Sequence, residues 1–324
     1  MRSARPKPLH LLCGRAMLLY VLDSLGEVAV DKAVVVVGHG AERVTKKLQE
    51  DGPDLVTDFV EQRVQRGTGD AVSVGLTAFA EDDLDSSDLI VLPGDTPLLR
   101  PSTIAALVRE HQLSEAACTM LTAVADDPTG YGRVVRGKDG GVVRVVEERD
   151  ATAEERAITE WNTSIYCFRR SVLAPALRRL SPENAQGEYY LTDVIEVLHD
   201  AGYPIAAVMV ADPAEPAGIN DRAQLAAAEA VLRQRTNETW MARGVTMLDP
   251  SRTYIDATVR LAPDVTLFPG SVLQGATVVG ERAEIGPDTQ LVDCIVGPFA
   301  ALEPGSRVPP GARTGPFYTA PGDA

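Results

Sequence analysis

The spacing of apolar residues changes several times along this chain. Met17, Leu18, Val21, Leu22 and Leu25 fall on one side of a 3.6-residue period, which predicts a helix across residues 14–25. Ala33 to Val37 is an unbroken apolar, mostly β-branched run stopped by Gly38-His39-Gly40, the pattern of a strand buried on both faces. Residues 41–50 read as helix again. A second apolar strand, Asp88 to Leu92, runs into Pro93-Gly94-Asp95-Thr96-Pro97, and Pro101-Ser102-Thr103 opens the next helix. Residues 117–124 and 133–146 read as further strands, the latter a pair hinged at Gly140-Gly141. Alternation of this kind predicts an α/β domain, Rossmann-like, with a mostly parallel sheet and helices on both faces. Ligands of such sheets sit beyond the carboxyl ends of the strands, where Asp95 falls.

Beyond residue 220 the pattern is different. Asp221 to Arg243 is a long alanine-rich helical stretch, with Asp221 placed to cap its start and Gly244 to stop it. Then Leu261, Leu267, Leu273, Val279, Ile285 and Leu291 recur every six residues. Val259, Val265, Ser271, Thr277, Ala283 and Thr289, all small or β-branched, stand two positions before them. After a one-residue slip the register resumes at Val296, Leu302 and Val308. A period of six fits a hexapeptide-repeat parallel β-helix, three hexapeptides to a coil. About three coils fit before Pro309-Pro310-Gly311 and a loose tail, and so short a solenoid needs a cap or partner subunits. The expected division is residues 1–220 as the α/β domain, 221–243 as a linker helix and 244–324 as the short β-helix and tail.

Composition narrows the functional classes. The 324 residues are enough for about two domains, and the net charge of −15 argues against nonspecific binding to nucleic acid or anionic membranes. A phosphate ligand would need a metal or local cations. One group of cations, Arg2, Arg5, Lys7 and Arg15, reads either as such a site or as a solvated basic terminus. Cys13, Cys118, Cys167 and Cys294 are scattered, as buried thiols of a reducing cytosol are. No apolar run has the length of a membrane span, and Pro6 and Pro8 stand where a signal peptide would be apolar. A soluble cytoplasmic protein is the expectation.

Candidate chemistry concentrates in a few segments. A carboxylate at the end of an apolar strand, as at Asp95, suits Mg²⁺, which takes few protein oxygens plus substrate phosphates; a turn cap is the alternative. Gln62, Gln65 and Arg66-Gly67-Thr68-Gly69 form a polar loop before a helix, where amides can bind an anion and glutamines can read a base edge. Asp126-Asp127-Pro128-Thr129-Gly130-Tyr131-Gly132-Arg133 reads as a metal site or a solvated turn. Glu147, Asn162 and the run Gln186 to Asp193 offer groups suited to sugar hydroxyls, or caps and core tyrosines. Asn220 is a metal ligand or a helix cap. The four histidines have no ligand spacing and no paired nucleophile.

Taken in order, PKPLHLLCGRAML, QRGTGDA, GDTPLL, DDPTGYGR, VVEERDAT, EWNTSI, NAQGEYYLTD and AGINDRAQL resemble the bacterial bifunctional N-acetylglucosamine-1-phosphate uridyltransferase / glucosamine-1-phosphate acetyltransferase family. The resemblance runs on through the hexapeptides to GPFAALEPG. It implies phosphate contact by Lys7, and a uracil site at Gln62, Gln65, Gly67 and Thr68. Asp95 and Asn220 would bind Mg²⁺; Gly132, Glu147, Asn162, Tyr190 and Thr192 would line the amino-sugar site. It further implies UTP and an amino-sugar 1-phosphate as substrates, a role in UDP-N-acetylglucosamine and cell-wall precursor synthesis, and a homotrimer.

Three departures from the family pattern stand out. Met1, four residues and Pro6-Lys7 match the second half of G-x-G-T-x-M-x4-P-K, whose strand and glycine turn would precede Met1. Without that strand a gap inside the sheet is expected. Pro93 stands two positions before Asp95, where the family usually has an aromatic residue. The acetyltransferase histidine and basic residues lie in a longer β-helix, so no acetyl transfer is expected of this chain. The alternatives to uridylyl transfer are a relative using another sugar 1-phosphate or dTTP, and a nucleotide-sugar-binding protein without turnover.

Overall fold

The computed structural model describes residues 1, 3–79, 87–316 and 318–320. A 3-10 turn at Lys7–Leu9 leads into a hairpin of β1 (Leu11–Leu12) and β2 (Arg15–Ala16). Its turn places Cys13 and Gly14 at φ 44° and 73°, so the apolar stripe expected from residue 14 becomes helix only at α1 (Met17–Gly26). There follow β3 (Ala33–Val37), α2 (Ala41–Asp51), β4 (Thr57–Glu61), α3 (Thr68–Leu76) and β5 (Asp88–Val91). Helix α4 (Pro101–Ser114) starts on a proline, whose missing N–H costs nothing at that position. Then come β6 (Cys118–Val124), β7 (Arg133–Arg136), β8 (Val142–Val146), α5 (Ala153–Arg156), β9 (Glu160–Arg169), α6 (Arg170–Leu177), α7 (Asp193–Asp200), β10 (Ile205–Met209) and α8 (Arg222–Ala242).

The chain forms two compact units. The larger holds Arg2–Leu9 and Leu18–Gly218; the smaller holds Met1, His10–Met17 and Ile219–Ala324. The β1–β2 hairpin and α8 therefore belong with the β-helix.

In the larger unit the central sheet has six strands in the order β10-β6-β9-β7-β8, with β5 also pairing β9. Parallel pairing is seen between β6 and β10, whereas the ten-residue β9 runs antiparallel to β5, β6 and β7. A bulge in β9 puts Ser164 at φ 60°. Tyr166, Phe168, Met120 and Leu173 are wholly buried under this sheet.

Strands β3 and β4 pair in parallel as a two-stranded sheet of their own. Ala33 N–H and Val37 C=O bond toward β4. By the two-residue period, the main-chain groups of Val34 and Val36 point to the opposite edge. The Arg170 N–H to Ser87 C=O bond likewise sets Asp88 and Ile90 facing away from β9. No strand among the described residues pairs with either edge. Helix α3 packs on both strands: Gly75 abuts Val36, and Val72 and Leu76 lie in the cluster that holds Leu89 and Val91.

In the smaller unit the six-residue column is the core of a parallel β-helix. Leu267, Leu273, Ile285 and Leu291 are 0% exposed, and Val259, Val265, Ser271, Thr277, Ala283 and Thr289 in the companion column are as fully buried. Strands stack in three parallel ladders. The slip falls at Asp293 (φ 47°), after which Cys294, Ala300 and Ser306 take over the companion column. The segment after Gly311, expected to be loose, returns to the solenoid: Thr319–Ala320 pairs in parallel with Ala301–Leu302. Helix α8 is capped as expected, with Asp221 accepting the Gln224 N–H and the Gln224 side chain returning to the Asp221 N–H. All four cysteines are buried free thiols.

Candidate active site

Of the site residues that the resemblance implies, all but Asn220 lie in the larger unit. The loop after β4 is the first part. Gln62 Nε2 donates to the Gly67 carbonyl at 3.2 Å and to Asp70 at 2.8 Å. The Gln65 amide lies against Gly38, at whose position a Cβ would stand 2.9 Å from Nε2. Gly67 takes φ 109°, and a Cβ there would stand 2.5 Å from the Tyr189 carbonyl oxygen, so only glycine fits.

This loop is zipped to the Gln186–Asp193 segment. Tyr189 N–H donates to Arg66 C=O and Gly69 N–H to Tyr189 C=O, each at 2.8 Å. Thr68 Oγ1 accepts the Leu191 N–H at 3.1 Å. The next residue, Thr192, donates to Glu147 Oε1 at 2.9 Å. Tyr190 is held by Gln186 at 2.9 Å and donates to Asp150 at 3.2 Å.

Gly132 and Asn162 complete this side. Asn162 N–H donates to the Gly132 carbonyl at 2.8 Å, and its side-chain amide donates to Tyr166 Oη at 2.7 Å while accepting the Ser164 N–H. A Cβ on Gly132 would meet Val145 at 2.9 Å and Glu147 at 3.6 Å. Burial raises the Glu147 carboxyl above the ordinary range, opposed by the Thr192 hydrogen bond. Burial and then the Glu147, Glu196 and Asp150 charges push Asp193 up to about 6.

Asp95 lies just past the end of β5, as the strand pattern implied, and forms an ion pair with Lys7. The preceding turn is pinned by Thr96 Oγ1 donating to Pro93 C=O at 3.1 Å. Gly218 packs on the carboxylate: a Cβ there would stand 3.2 Å from Asp95 Oδ1. Of the other basic residues in the N-terminal group, Arg5 is exposed, Arg15 belongs to the smaller unit, and Arg2 lies outside the described residues. Asn220 is also in the smaller unit, where its N–H donates to Gln224 Oε1 at 2.6 Å. The Asp126–Arg133 segment is a turn, with Asp127 capping the Thr129 N–H at 3.1 Å.

The sequence analysis assigns no role of their own to Tyr131 and Trp161, whose rings stack with centroids 4.1 Å apart. It also missed Asp150 and the Arg133–Glu148 ion pair at 2.7 Å. A tryptophan beside Asn162 was the available signal.

The arrangement offers the Lys7 ammonium beside the Asp95 carboxylate, further carboxylates at Glu147 and Asp150, glycine-shaped approaches and neutral hydrogen-bonding groups. A site of that kind binds and orients an anionic ligand. The Asp95 carboxylate, beside Lys7, fits the donor set of Mg²⁺, which takes one or two protein carboxylates beside substrate phosphates.

The chain is similar to known proteins. Bifunctional protein GlmU of Desulfitobacterium hafniense (strain DSM 10664 / DCB-2) is 44% identical over 98% of this chain and 73% of its own length. Bifunctional protein GlmU of Mycolicibacterium vanbaalenii is 42% identical over 98% and 69%. The crystal structure of HddC from Yersinia pseudotuberculosis complexed with GMP-PN shares 16% identity, covers 65% of this chain and 83% of that one, and has a TM-score of 0.48. Residues 1–247 match the MobA-like NTP transferase domain. The chain belongs to the GlmU family and is a nucleotidyltransferase of the sugar-1-phosphate class.

Proposed function

We propose that the protein transfers UMP from UTP to N-acetylglucosamine 1-phosphate, giving UDP-N-acetylglucosamine and pyrophosphate. The Lys7–Asp95 pair past the end of β5 carries this reading. A phosphate oxygen of the sugar 1-phosphate attacks the α-phosphorus of UTP. The bond from that phosphorus to the β-phosphate oxygen breaks, and pyrophosphate leaves. The attacking oxygen is already anionic at neutral pH, so no general base is required and rate comes from positioning and charge neutralisation.

In this reading Lys7 contacts the phosphates. Gln62, Gln65, Gly67 and Thr68 hold the uracil end, and Gly132, Glu147, Asn162, Tyr190 and Thr192 the amino sugar. A divalent cation, Mg²⁺, held by Asp95 would offset negative charge on the triphosphate. Asn220 is proposed as a further ligand, to be tested by its own substitution. The β-helix supports the proposal of a homotrimer, which sedimentation mass tests. No helix among the described residues is long and apolar enough to cross a membrane.

The test is pyrophosphate release that requires both UTP and the sugar 1-phosphate; release with dTTP or another sugar 1-phosphate at greater kcat/KM would reassign the substrate. A second reading, binding of a nucleotide sugar without turnover, is favoured by the division of β3 and β5 between separate sheets. Calorimetric binding of UDP-N-acetylglucosamine with no pyrophosphate release would establish it instead.

A further inference from the structure

The turn after β8 presents two carboxylates to one segment of the chain. The Asp150 and Ala151 N–H groups both donate to the Glu147 carbonyl at 3.0 Å, which folds the turn tightly. Glu147 Oε1 accepts the Thr192 hydroxyl at 2.9 Å. Three positions on, Asp150 reaches the same segment twice. Its Oδ1 accepts the Ala185 N–H at 2.9 Å and its Oδ2 accepts the Tyr190 hydroxyl at 3.2 Å. Between these two anchors the loop is stitched by Asn184, whose Oδ1 accepts the Gln186 and Glu188 N–H groups at 3.2 Å and whose Nδ2 donates to the Glu188 carbonyl at 2.6 Å. Gly187 reverses the chain at φ 68°.

Partners alternate along the end of this segment. The main chains of Tyr189 and Leu191 bond to the loop at Arg66–Gly69, through the Arg66 carbonyl, the Gly69 N–H and Thr68 Oγ1. The side chains of Tyr190 and Thr192 bond instead to Asp150 and Glu147. Tyr190 is 6% exposed, and its hydroxyl also accepts Gln186 Nε2 at 2.9 Å. Gln186 lies on the same loop as Tyr190, so it moves with it. Asp150 belongs to a different element, forty positions away, and so fixes the phenol in the frame of the central sheet.

We infer that Asp150 is a positioning residue for the amino sugar: one carboxylate holds Ala185 and the Tyr190 hydroxyl together and sets the phenol beside Thr192 and Glu147. This rests on the reading of Tyr190 as a group that lines the amino-sugar site. Asp150 acts through Tyr190 and forms no bond to the reacting atoms in this role. It is an exposed residue of a turn, so its removal is expected to leave the core intact.

The experiment uses the full chain and calorimetric binding of two probes, UDP-N-acetylglucosamine and UDP, with Mg²⁺ present. The ratio of their affinities isolates what the sugar contributes and needs no turnover. Asp150→Ala, Tyr190→Phe and the double variant are compared with the parent, each with its thermal midpoint. In Asp150→Ala the affinity for UDP-N-acetylglucosamine falls about tenfold, the scale of one hydrogen bond, while UDP affinity and the midpoint stay at parent values. In the Tyr190→Phe background the same substitution has little further effect on the ratio, as a contact made through the phenol requires. A parent ratio in Asp150→Ala, beside a reduced one in Tyr190→Phe, overturns the inference. So does an Asp150→Ala loss that persists undiminished in Tyr190→Phe, or one that falls equally on UDP or comes with a lowered midpoint. If Tyr190→Phe itself keeps the parent ratio, the reading of Tyr190 as a sugar-site residue fails and takes this inference with it, a result distinct from a silent Asp150→Ala.

Discussion

Thr68 Oγ1 accepts the Leu191 N–H at 3.1 Å, which ties the start of α3 to the segment that carries Tyr190 and Thr192. The loop assigned to the nucleotide and the segment assigned to the sugar are thereby one structural piece. Ligand at one end is expected to order the other, without a long-range pathway.

Gly67 is the tightest point of that piece. Gly67→Ala puts a Cβ 2.5 Å from the Tyr189 oxygen at φ 109° and forces the zipper apart. The expected cost is about 2 kcal/mol. KM should rise for both substrates, not for UTP alone. Urea unfolding and steady-state kinetics on the same variant check both statements.

The acidic floor near Glu147 makes stability depend on pH. Asp193 ionises near 6 in the folded protein against 3.8 in the reference state. The folded state therefore binds the extra proton, and this contribution is fully present below about pH 4 and lost as pH rises through about 6. Asp193→Asn removes the charge penalty. Discounted for solvent screening at this half-buried group, it should stabilise the protein by about 1 kcal/mol at pH 7.5 and change little at pH 4. Denaturant midpoints at the two pH values decide it.

The solenoid supplies a separate check. Leu273 is 0% exposed in the β-helix core, and Leu273→Ala should cost about 2–5 kcal/mol in the unfolding transition of the smaller unit. If the two units unfold separately, calorimetry should show only one transition move.

The divided sheet has its own signature. Val34, Val36 and Ile90 present main-chain groups to edges that no described strand pairs, whereas Val35 and Leu89 face a partner. Amide exchange should be faster at the first three. Equal protection at all five would mean that a further strand lies between β3 and β5.

Legibility in the sequence followed how local the signal was. The hexapeptide column needs only spacing, and every member from Leu261 to Val308 is buried. Asp95 was legible because strand and turn together place it past the sheet edge. The residues passed over depend on contacts far apart in the chain. Nothing near Tyr131 announces Trp161, thirty positions on. The Ser164 bulge, at φ 60°, cannot be read from a residue type that seldom adopts that conformation. The β1–β2 hairpin was hidden because the apolar stripe of α1 continues the apolar residues before it, and only the Cys13-Gly14 turn separates them. The antiparallel course of β9 is set by its long-range pairing with β5, β6 and β7, which strand propensity alone does not reveal.

The central claim is that Asp95, paired with Lys7, acts at the triphosphate. It is tested most directly by pyrophosphate release from UTP and N-acetylglucosamine 1-phosphate in the wild-type chain and in Asp95→Asn. The account expects release in the wild type and a loss of at least about a hundredfold in kcat for the variant, the scale of removing one preorganised electrostatic contact to the transition state. Wild-type kcat in a folded Asp95→Asn protein would contradict it.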